Sequence, residues 1–599
     1  MLRQGGDHAP RMSRTRHLAL SALALGTAAV AQHDTATGTK QPALVIAPAS
    51  NEAQDQIKSF QLAPGLVCDL VAAEPDLCNP VAFAIDGKGR FYVAETFRIN
   101  DGVFDTRSYM QWKDADLACL TVADRIAKYE KYIPNDIPKY RAFPERIRML
   151  VDTDRNGTLD RSTVFADQFH ELADGIASGV LPVGNDVYFT NIPKLYKLRD
   201  ANDDGIADEV LVLHDGYGVH TSLIGHDLHG IIVGPDRRLY FSIGDRGFHI
   251  QQGDRTLAYP HEGAVLRCEL DGSDLEVVHR GLRNPQELAF DQWGDLFTGD
   301  NNSDGGDRAR FVHIVPGADS GWRIGYQWLD DRGAWNREKM WHARHPGQPA
   351  WVMPPIMNFA DGPSGLVYDP GQGLPERFRD CFFLCDFRGG TTYSGVHALR
   401  VQRNGAGFEL ASVQKAIWSI LATDVDFGPD GSMYVSDWVS GWNKTGKGRI
   451  YRVRTQQMQN DMALRNTANL LGSDLTQRGE AQLRALLAHT DRRVRQAAQF
   501  ALVDLGATAV LADVAKSPES RLARLHAIWG LGALGRKDQN ALESVPALLE
   551  DGDADVRAMA ARVLGDARVK DAGKALLKAL KDGNARVQKE AALALARLG

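Results

Sequence analysis

Long apolar runs, basic stretches and haem-attachment motifs are all missing from most of this 599-residue chain. After residue 31 no apolar run approaches the roughly 20 residues that a membrane-spanning helix needs. Lys and Arg number 69 against 76 Asp and Glu, which gives a net charge of −7. A mildly acidic chain without a long basic run is not expected to bind nucleic acid.

Cysteine is also scarce, with six residues in the whole chain. The motif Cys-x-x-Cys-His does not occur, which excludes a c-type haem attachment site. Cys381 and Cys385 lie four positions apart on one predicted strand, too far apart to bond without a bend, so buried thiols are expected there.

The N-terminus has the pattern of an export signal. Several Arg residues precede the short apolar run Leu18–Leu25, and Ala29-Val30-Ala31 is a small-x-small cleavage site. Residues 1–31 are therefore predicted to be a cleaved signal peptide; an uncleaved membrane anchor is the alternative. A periplasmic or secreted location follows, with membrane association left open, and residues 32–58 are predicted to be a polar N-terminal tail.

One short sequence motif occurs six times between residues 59 and 456. Each copy has a strand pattern with period 2, a tight turn and a second strand, which together predict a hairpin. The first copy runs from Val81 to Glu95 and the last from Val425 to Asp437. Regularly spaced hairpins with further strand-like sequence between them predict an all-β six-bladed propeller. Residues 104–147 interrupt the pattern with a helix-like insertion that is expected to lie on one face.

An acidic or amide residue follows the second strand of every hairpin. In a propeller these six residues share one rim, together with the residues that precede the first strands. Two interpretations are open. The six side chains form a polar site on the propeller face that binds a cation, cofactor or substrate, or they only suit the turns at the strand ends. The six residues are Glu95, Asn191, Asp245, Asp300, Asp386 and Asp437.

Residues 461–599 change to a composition rich in Ala, Leu and Arg. Amphipathic helices begin near Val494, Leu525, Val556 and Val587, at a constant spacing of 31 residues. This period predicts an all-α solenoid of short HEAT-like repeats. Such a stack either docks a protein partner or acts as a structural cap, and the sequence favours neither.

Two acidic loops, 48 residues apart, share the pattern Asp-x-[Asp/Asn]-x-[Asp/Asn]-Gly-x-x-Asp. Alternating oxygen ligands around a glycine turn suit Ca²⁺, although both loops lack the Glu found at the twelfth position of an EF-hand. Either they bind Ca²⁺ or they only build turns. The candidate ligands are Asp152, Asp154, Asn156 and Asp160 in one loop, and Asp200, Asn202, Asp204 and Asp208 in the other.

The third and fourth hairpins carry the residues best suited to catalysis. His226 and the segment Arg283-Asn284-Pro285-Gln286 precede the first strands of these hairpins. A His that removes a proton beside an Arg that stabilises negative charge suits the oxidation of a hydroxyl group. We therefore name His226 and Arg283 as candidate catalytic residues, with Asp300 and Asn301 at the wall of the same pocket.

These motifs resemble the soluble quinoprotein glucose/sorbosone dehydrogenases. The resemblance rests on His226 before Ile-x-Val-Gly-Pro-Asp236, on Gly281-Leu-Arg-Asn-Pro-Gln286 and on Gly321-Trp322. With its signal peptide and helical repeats the whole chain is more similar still to secreted proteins classed as membrane-bound dehydrogenases. The resemblance implies a six-bladed propeller that uses pyrroloquinoline quinone and Ca²⁺.

The resemblance also implies roles for single residues. His226 matches the general base, and Arg283 and Asn284 match residues that contact the quinone. Asn302 and Ser303 fall where backbone carbonyls hold the cofactor's Ca²⁺, although the family has Gly-Pro there. Gln286, Asp300 and Asn301 complete the candidate cofactor site. The chain departs from the family at its quinone-binding Lys, which aligns near Phe387, and at two Arg positions, near Leu421 and Thr423. The carboxylates of pyrroloquinoline quinone need cationic partners, so these departures count against that cofactor.

Two functions are consistent with these patterns. The first is an exported oxidoreductase that oxidises a sugar or polyol with a quinone and Ca²⁺ and passes electrons to a separate acceptor such as a cytochrome. The second is a non-catalytic propeller that binds carbohydrate or protein, with the repeats as a docking arm. His226 and Arg283 favour the first function, whereas the missing cations favour the second.

Overall fold

The computed structural model describes residues 42–342, 345 and 350–599. The predicted signal peptide therefore lies outside the described residues, and its cleavage stays a prediction. In this described part of the chain, no helix is both long and apolar enough to cross a bilayer. All six cysteines are free thiols.

Six antiparallel sheets, each with four main strands, form a closed ring. Blades 1 to 3 consist of Pro80–Ile85, Phe91–Glu95, Glu145–Val151 and Arg161–Phe169; Gly179–Val183, Asp186–Asn191, Lys194–Arg199 and Glu209–Asp215; and Leu228–Val233, Leu239–Ile243, Gly263–Cys268 and Glu276–Leu282. Blades 4 to 6 consist of Pro285–Phe290, Leu296–Asp300, Arg310–Ile314 and Met357–Asn358; Pro363–Tyr368, Phe382–Asp386, Gly395–Asn404 and Gly407–Trp418; and Ala422–Phe427, Met433–Asp437, Arg449–Arg454 and Val67–Ala73. Shorter strands extend two of the sheets or form a separate hairpin: Gln61–Leu62, Phe248–Gln252, Arg255–Tyr259 and Ala318–Asp319.

The first strand of each blade contacts the first strand of the next blade all the way round the ring. This arrangement confirms the predicted six-bladed propeller. The first two strands of each blade form the hairpin that the local sequence pattern predicts. Turn residues between two period-2 segments specify such a hairpin without distant contacts.

The ring closes through contacts between the two ends of the propeller. Val67–Ala73, from the N-terminal side, pairs with Arg449–Arg454 as the outer strand of blade 6. Asp424 of blade 6 also accepts the N–H of Phe83 in blade 1 (2.8 Å), and Asp426 accepts the N–H of Ile85 (3.1 Å).

The predicted polar tail, residues 32–58, contains a helix near its C-terminal end. Glu52–Gln56 form a short helix in which Ala53 is buried. Gln56 Nε2 donates to Asp437 (2.9 Å), and Glu52 pairs with Arg449 (2.9 Å). The polar residues are thus ordered because they find charged partners on blade 6.

The two faces of the propeller are easily defined. We call the upper face the one that carries the residues before each first strand and after each second strand. The lower face carries the turns that join the first and second strands. The insertion, with helices Lys113–Leu117, Val122–Tyr132 and Ile137–Tyr140, lies on the upper face, where the N–H of Thr106 donates to the carbonyl of Ser222 (2.8 Å).

The helical region begins at Met462, and its HEAT-like character is confirmed together with the propeller. Val494, Leu525, Val556 and Val587 are all fully buried, as the period of 31 requires. The α-helices are Met462–Leu471, Glu480–Leu486, Arg492–Asp504, Thr508–Lys516, Arg521–Gly535, Ala554–Asp566, Gly573–Ala579 and Ala585–Leu598.

The longer helices of the repeats cover the lower face. Arg493 Nη1 donates to the carbonyls of Phe427 (2.7 Å) and Gly428 (2.9 Å) in the blade 6 turn. Gln499 Nε2 donates to the carbonyl of Pro235 in the blade 3 turn (2.6 Å), and Arg586 Nη2 donates to that of Trp293 in blade 4 (2.9 Å). A cavity of about 400 Å³ lies between the inner strands and these helices. The sequence left two roles open for the repeats, and their longer helices take the role of a structural cap on the lower face.

Candidate functional site

Five of the six strand-end groups hold the backbone at the start of their own blade. Their side chains are fully buried, as is that of the sixth. The contacts are Glu95 with the N–H of Cys78 (2.8 Å), Asp300 with the N–H groups of Arg283 (3.0 Å) and Asn284 (2.8 Å), Asp386 with those of Asp361 (3.0 Å) and Gly362 (3.1 Å), Asp437 with that of Leu421 (3.2 Å), and Asn191 Nδ2 with the carbonyl of Gly175 (3.3 Å). For these five positions the turn-building interpretation holds, because a backbone group next to the strand needs a partner once it is buried.

Asp245 of blade 3 is the exception. Three side chains donate to its carboxylate: Ser222 Oγ (2.8 Å), His226 Nδ1 (2.8 Å) and Trp322 Nε1 (2.9 Å). Burial raises the pKa of Asp245, but His226, Arg283 and Trp322 outweigh that effect and lower the pKa to about 2. The carboxylate is therefore ionised at neutral pH and orients a histidine rather than a backbone segment.

His226 is buried beside this carboxylate, just before the strand Leu228–Val233. Burial lowers the pKa of His226, Arg283 lowers it further, and Asp245 acts in the opposite direction. Because Nδ1–H donates to Asp245, the neutral ring has a lone pair on Nε2. Among the described residues, Nε2 has no hydrogen-bond partner. This is the arrangement that a histidine needs to act as a general base, with its tautomer fixed by a carboxylate.

Arg283 and Asn284 lie next to this pair. A Cβ placed on Gly244 would come within 2.8 Å of Asn284 Oδ1 and 2.8 Å of the carbonyl of His226, so glycine is required for this approach. The guanidinium of Arg283 lies 5.6 Å from the ring centre of Trp322, which also donates to Asp245. The structure thus brings together His226, Arg283 and Asn284, as the sequence predicted for one pocket.

Two polar atoms of this cluster have no partner among the described residues. Arg283 donates through Nε to Gln327 (3.1 Å) and through Nη2 to Asp304 (2.8 Å), while its buried Nη1 is unpaired. The Oδ1 of Asn284 is buried and unpaired as well. Buried polar groups are nearly always satisfied, so a free donor beside a free acceptor indicates a place for a polar ligand.

The other predicted cofactor residues contribute less. Both carboxylate oxygens of Asp300 accept hydrogen bonds, one from Arg310 Nη2 (2.6 Å) and the other from backbone N–H groups. Asn301 accepts through its carbonyl from Arg310 (2.8 Å), and Asn302 Nδ2 donates to Asp361 (3.0 Å) at the rim. Gln286 lies within the strand Pro285–Phe290, where its carbonyl accepts from Ser242 Oγ (2.9 Å), and it is not brought to His226.

The acidic loops lie away from this cluster. They join the third and fourth strands of blades 1 and 2, and they are equivalent turns. Arg90, in the lower-face turn of blade 1, reaches Asp203 of the second loop (2.5 Å), which places that loop on the lower side.

The carboxylates of the two loops bind backbone in the same way. Asp152 Oδ2 accepts the N–H of Gly157 (2.8 Å), and Asp200 Oδ2 accepts that of Gly205 (2.8 Å). In the described ranges, no group of three or more His, Cys, Asp or Glu side chains is arranged to hold a metal ion. Calcium binding at Asp152–Asp160 and Asp200–Asp208 stays a prediction, and it is not part of the His226 cluster.

The insertion supports the cluster in a way that the sequence did not indicate. Asp116 accepts the backbone N–H groups of Thr221 (2.8 Å) and Ser222 (3.2 Å), and Lys128 pairs with the same carboxylate. Burial raises the pKa of Asp116, but Lys128 and His220 outweigh it and lower the pKa to about 2. The ionised Asp116 therefore fixes the loop from which Ser222 reaches Asp245.

An apolar cluster occupies two of the three positions where the resemblance calls for cations, and at the third Thr423 Oγ1 donates to the carbonyl of Pro80 (3.0 Å). Phe387 and Leu421 pack with Ile99, Ile176 and Trp438 near the centre of the upper face. Arg388, the nearest cation in sequence, is already paired with Asp386 (2.6 Å) and Asp361 (3.7 Å). The side chains of Phe387, Leu421 and Arg388 therefore supply no free cation for the carboxylates of pyrroloquinoline quinone, whereas Arg283 Nη1 is an unpaired donor for a polar ligand.

Comparisons with known proteins place the chain in a family. Quinoprotein glucose dehydrogenase B from Acinetobacter calcoaceticus is 29% identical over 135 residues, which cover 18% of this chain and 28% of that protein. The match confirms the resemblance noted from the motifs, although the chain spans little more than a quarter of that relative's length. Residues 541–599 match HEAT repeats.

Two solved structures each align with about two thirds of this chain. The PQQ-bound aldose sugar dehydrogenase from Streptomyces coelicolor is 17% identical, with a TM-score of 0.37 over 66% of this chain and 100% of that one. The holo PQQ domain of pyranose dehydrogenase from Coprinopsis cinerea is 12% identical, with a TM-score of 0.39 over 66% of this chain and 97% of that one. Residues 52–457 match one sequence family along the whole propeller, so the chain belongs to the family described as a domain of unknown function (DUF7133).

Proposed function

We propose that this chain is a dehydrogenase-type propeller that oxidises a hydroxyl group of a sugar or polyol on its upper face. One observation carries the proposal: a buried Asp245–His226 pair next to Arg283 and Asn284, each of which has a buried polar atom without a partner among the described residues, Nη1 and Oδ1. The partial match to a quinoprotein glucose dehydrogenase supports the same reaction class.

The residues of the cluster have distinct tasks in such a reaction. His226 Nε2 accepts the proton of the substrate hydroxyl, and Asp245 stabilises the imidazolium that forms. A hydride leaves the carbon that bears this hydroxyl, and that carbon becomes a carbonyl carbon. Arg283 Nη1 would stabilise the negative charge that develops on a bound electron acceptor, and Asn284 Oδ1 would accept a hydrogen bond from a substrate hydroxyl.

A quinone-class acceptor, when bound, takes up the two electrons of the hydride. We propose that electrons then pass to a separate acceptor such as a cytochrome. We also propose Ca²⁺ as a cofactor, either near Asn302 or at the acidic loops. Export to the periplasm or the medium completes the proposal, and the N-terminal sequence of the mature protein tests it.

The direct test is dye reduction by the purified chain. The protein is supplied with an artificial electron acceptor and a panel of sugars and polyols, with and without Ca²⁺ and pyrroloquinoline quinone. Turnover on at least one substrate is expected, and His226→Ala should reduce it by about 10²–10⁴. No turnover under any condition, or full turnover by His226→Ala, would refute the proposal.

The apolar cluster around Phe387 favours a second candidate, a carbohydrate-binding propeller without catalysis. In that case sugars bind but no dye is reduced, and His226→Ala alters affinity only. Titration of sugars by calorimetry, without an electron acceptor, separates the two functions.

A further inference from the structure

Two large aromatic side chains are exposed on the upper face. Trp442 is 68% exposed and Tyr393 is 67% exposed. Tyr393 follows the second strand of blade 5, Phe382–Asp386, and Trp442 follows that of blade 6, Met433–Asp437. They therefore share the rim on which His226 lies, and they flank consecutive glycines: Trp442 lies on Gly389, and Tyr393 lies next to Gly390.

The exposed indole is held in place rather than free to move. A Cβ on Gly389 would lie 2.2 Å from Trp442 Nε1, and the backbone there has φ +70°, so only glycine allows this contact. Phe387 meets the indole edge-on at 5.2 Å. The N–H of Gly441 donates to the carbonyl of Gly389 (3.1 Å), and Lys444 Nζ donates to the carbonyl of Ile99 (2.7 Å). The loop is thus tied to blades 5 and 1, and a ligand would find the ring preorganised.

The exposed rings are continuous with the catalytic cluster. Phe387 packs both on Trp442 and on the apolar cluster of Ile99, Ile176, Leu421 and Trp438. Ile224 packs on the same cluster and lies two positions before His226. The aromatic rings are bordered by polar groups, since Arg388 pairs with Asp361, which in turn accepts from Asn302.

We propose that Trp442 and Tyr393 form an aromatic subsite for a second sugar ring, so that the chain prefers an oligosaccharide to a monosaccharide. This inference rests on the proposed function for its substrate class. A sugar ring has an apolar C–H face and a rim of hydroxyl groups. It therefore fits an indole bordered by charged and amide groups, because aromatic side chains combine large apolar contact with polar surroundings at binding sites. Two rings are also too small a patch for a stable protein interface, which takes about 800 Å² from each partner.

Binding in the absence of an electron acceptor tests the inference without turnover. Glucose and gluco-oligosaccharides of two to four units, with α-1,4 or β-1,4 links, are titrated while tryptophan fluorescence and heat are measured. The tetrasaccharide of one series should bind about tenfold more tightly than glucose. Trp442→Ala should remove that difference, whereas Trp442→Phe should keep most of it.

Two further variants exclude trivial explanations. Gly389→Ala, which displaces the indole without removing it, should behave like Trp442→Ala. Leu577→Ala, an exposed residue of the helical region, should bind like the parent, and circular dichroism checks that every variant is folded. Equal affinity for glucose and tetrasaccharide, no binding of any sugar, or a Trp442→Ala variant with parental affinity would overturn the subsite. Length-dependent binding without dye reduction would retain the subsite and reject only the oxidoreductase.

Discussion

Replacing Asp295 with Asn should strongly destabilise the joint between the propeller and the repeats. Asp295 lies in the lower-face turn of blade 4 and is buried. It meets Arg586 (2.9 Å) and Arg562 (3.3 Å) from the helices, and Lys589 lies 3.8 Å away. Burial raises the pKa of Asp295, but Arg586 and Lys589 outweigh it and hold the pKa well below its ordinary value.

The size of the effect follows from the charges left behind. The Asp295→Asn substitution would keep the volume of the side chain but would leave the cations without their shared anion. Losing one partner of a buried ion pair costs about 3–5 kcal/mol. Glu590 still faces Arg562 (2.8 Å) and Lys589 (3.3 Å), so we expect the lower end, about 3 kcal/mol.

Urea unfolding, followed by circular dichroism and fluorescence, measures this cost. The matched control is Asp513→Asn, which breaks the Arg484–Asp513 pair in the same helical region, where the side chains are 40% and 66% exposed. Exposed pairs contribute about 0–1 kcal/mol, so this control should unfold nearly as the parent does. If Asp295→Asn and Asp513→Asn unfold at the same urea concentration, the buried network contributes nothing and the reasoning is wrong.

The pH dependence has a definite sign. A carboxyl whose pKa is depressed on folding contributes stability that is fully present above its unfolded pKa, which is about 3.9 for Asp. That contribution is lost as the pH falls through the folded pKa. The contribution of Asp295 should therefore shrink below about pH 4. Between about pH 5 and pH 7 the neighbouring Asp291 also titrates, because burial and the charge of Asp295 raise its pKa to about 7.

Three further predictions concern the site and the metal. Asp245→Asn should reduce dye turnover by about 10²–10⁴, because the amide NH₂ can donate to Nδ1 and favour the wrong tautomer, and because the imidazolium loses its anion. Asp386→Asn, at the equivalent position of blade 5, should lower the melting temperature without a selective loss of turnover. Burial lowers the pKa of His226 from its ordinary value of about 6.5, and the base is active only when neutral. Turnover should therefore fall only at a pH below about 6.5. A loss of turnover that begins above about pH 7 would contradict this. Ca²⁺ should raise the melting temperature relative to a chelator, and Asp152→Asn combined with Asp200→Asn should abolish the rise; equal melting temperatures in the parent would reject calcium binding by the native state.

The sequence was sufficient for the architecture because its signals are local. A hairpin needs only two alternating segments and a turn, and the repeats are marked by the buried positions Val494, Leu525, Val556 and Val587. The closing strand Val67–Ala73 was not predicted, since it pairs with Arg449–Arg454 at the far end of the propeller sequence. Nothing within a single segment specifies such a partner.

The candidate site was predicted only in part for the same reason. His226, Arg283 and Asn284 stand in recognisable motifs and meet in space. Trp322, however, lies 77 residues from Asp245, to which it donates. The part played by the insertion rests on Asp116, which lies 105 residues from Thr221 and 106 from Ser222, whose backbone groups it holds. Trp322 stands in the Gly321-Trp322 motif, but neither that motif nor the sequence around Asp116 specifies the distant partner, because these loops have no periodicity.

The two faces of the propeller limit what each part of the chain can do. The longer helices of the repeats donate hydrogen bonds to the lower-face turns of blades 3, 4 and 6, so these turns are covered. A ligand that reaches His226 must approach from the upper face, where Trp442 and Tyr393 are exposed. We propose that a protein partner binds the shorter helices of the repeats, such as Thr508–Lys516 and Gly573–Ala579, rather than the longer helices that contact the lower-face turns. Substrate and partner would then bind on opposite sides of the chain, so docking a partner on the repeats would leave the path to His226 open.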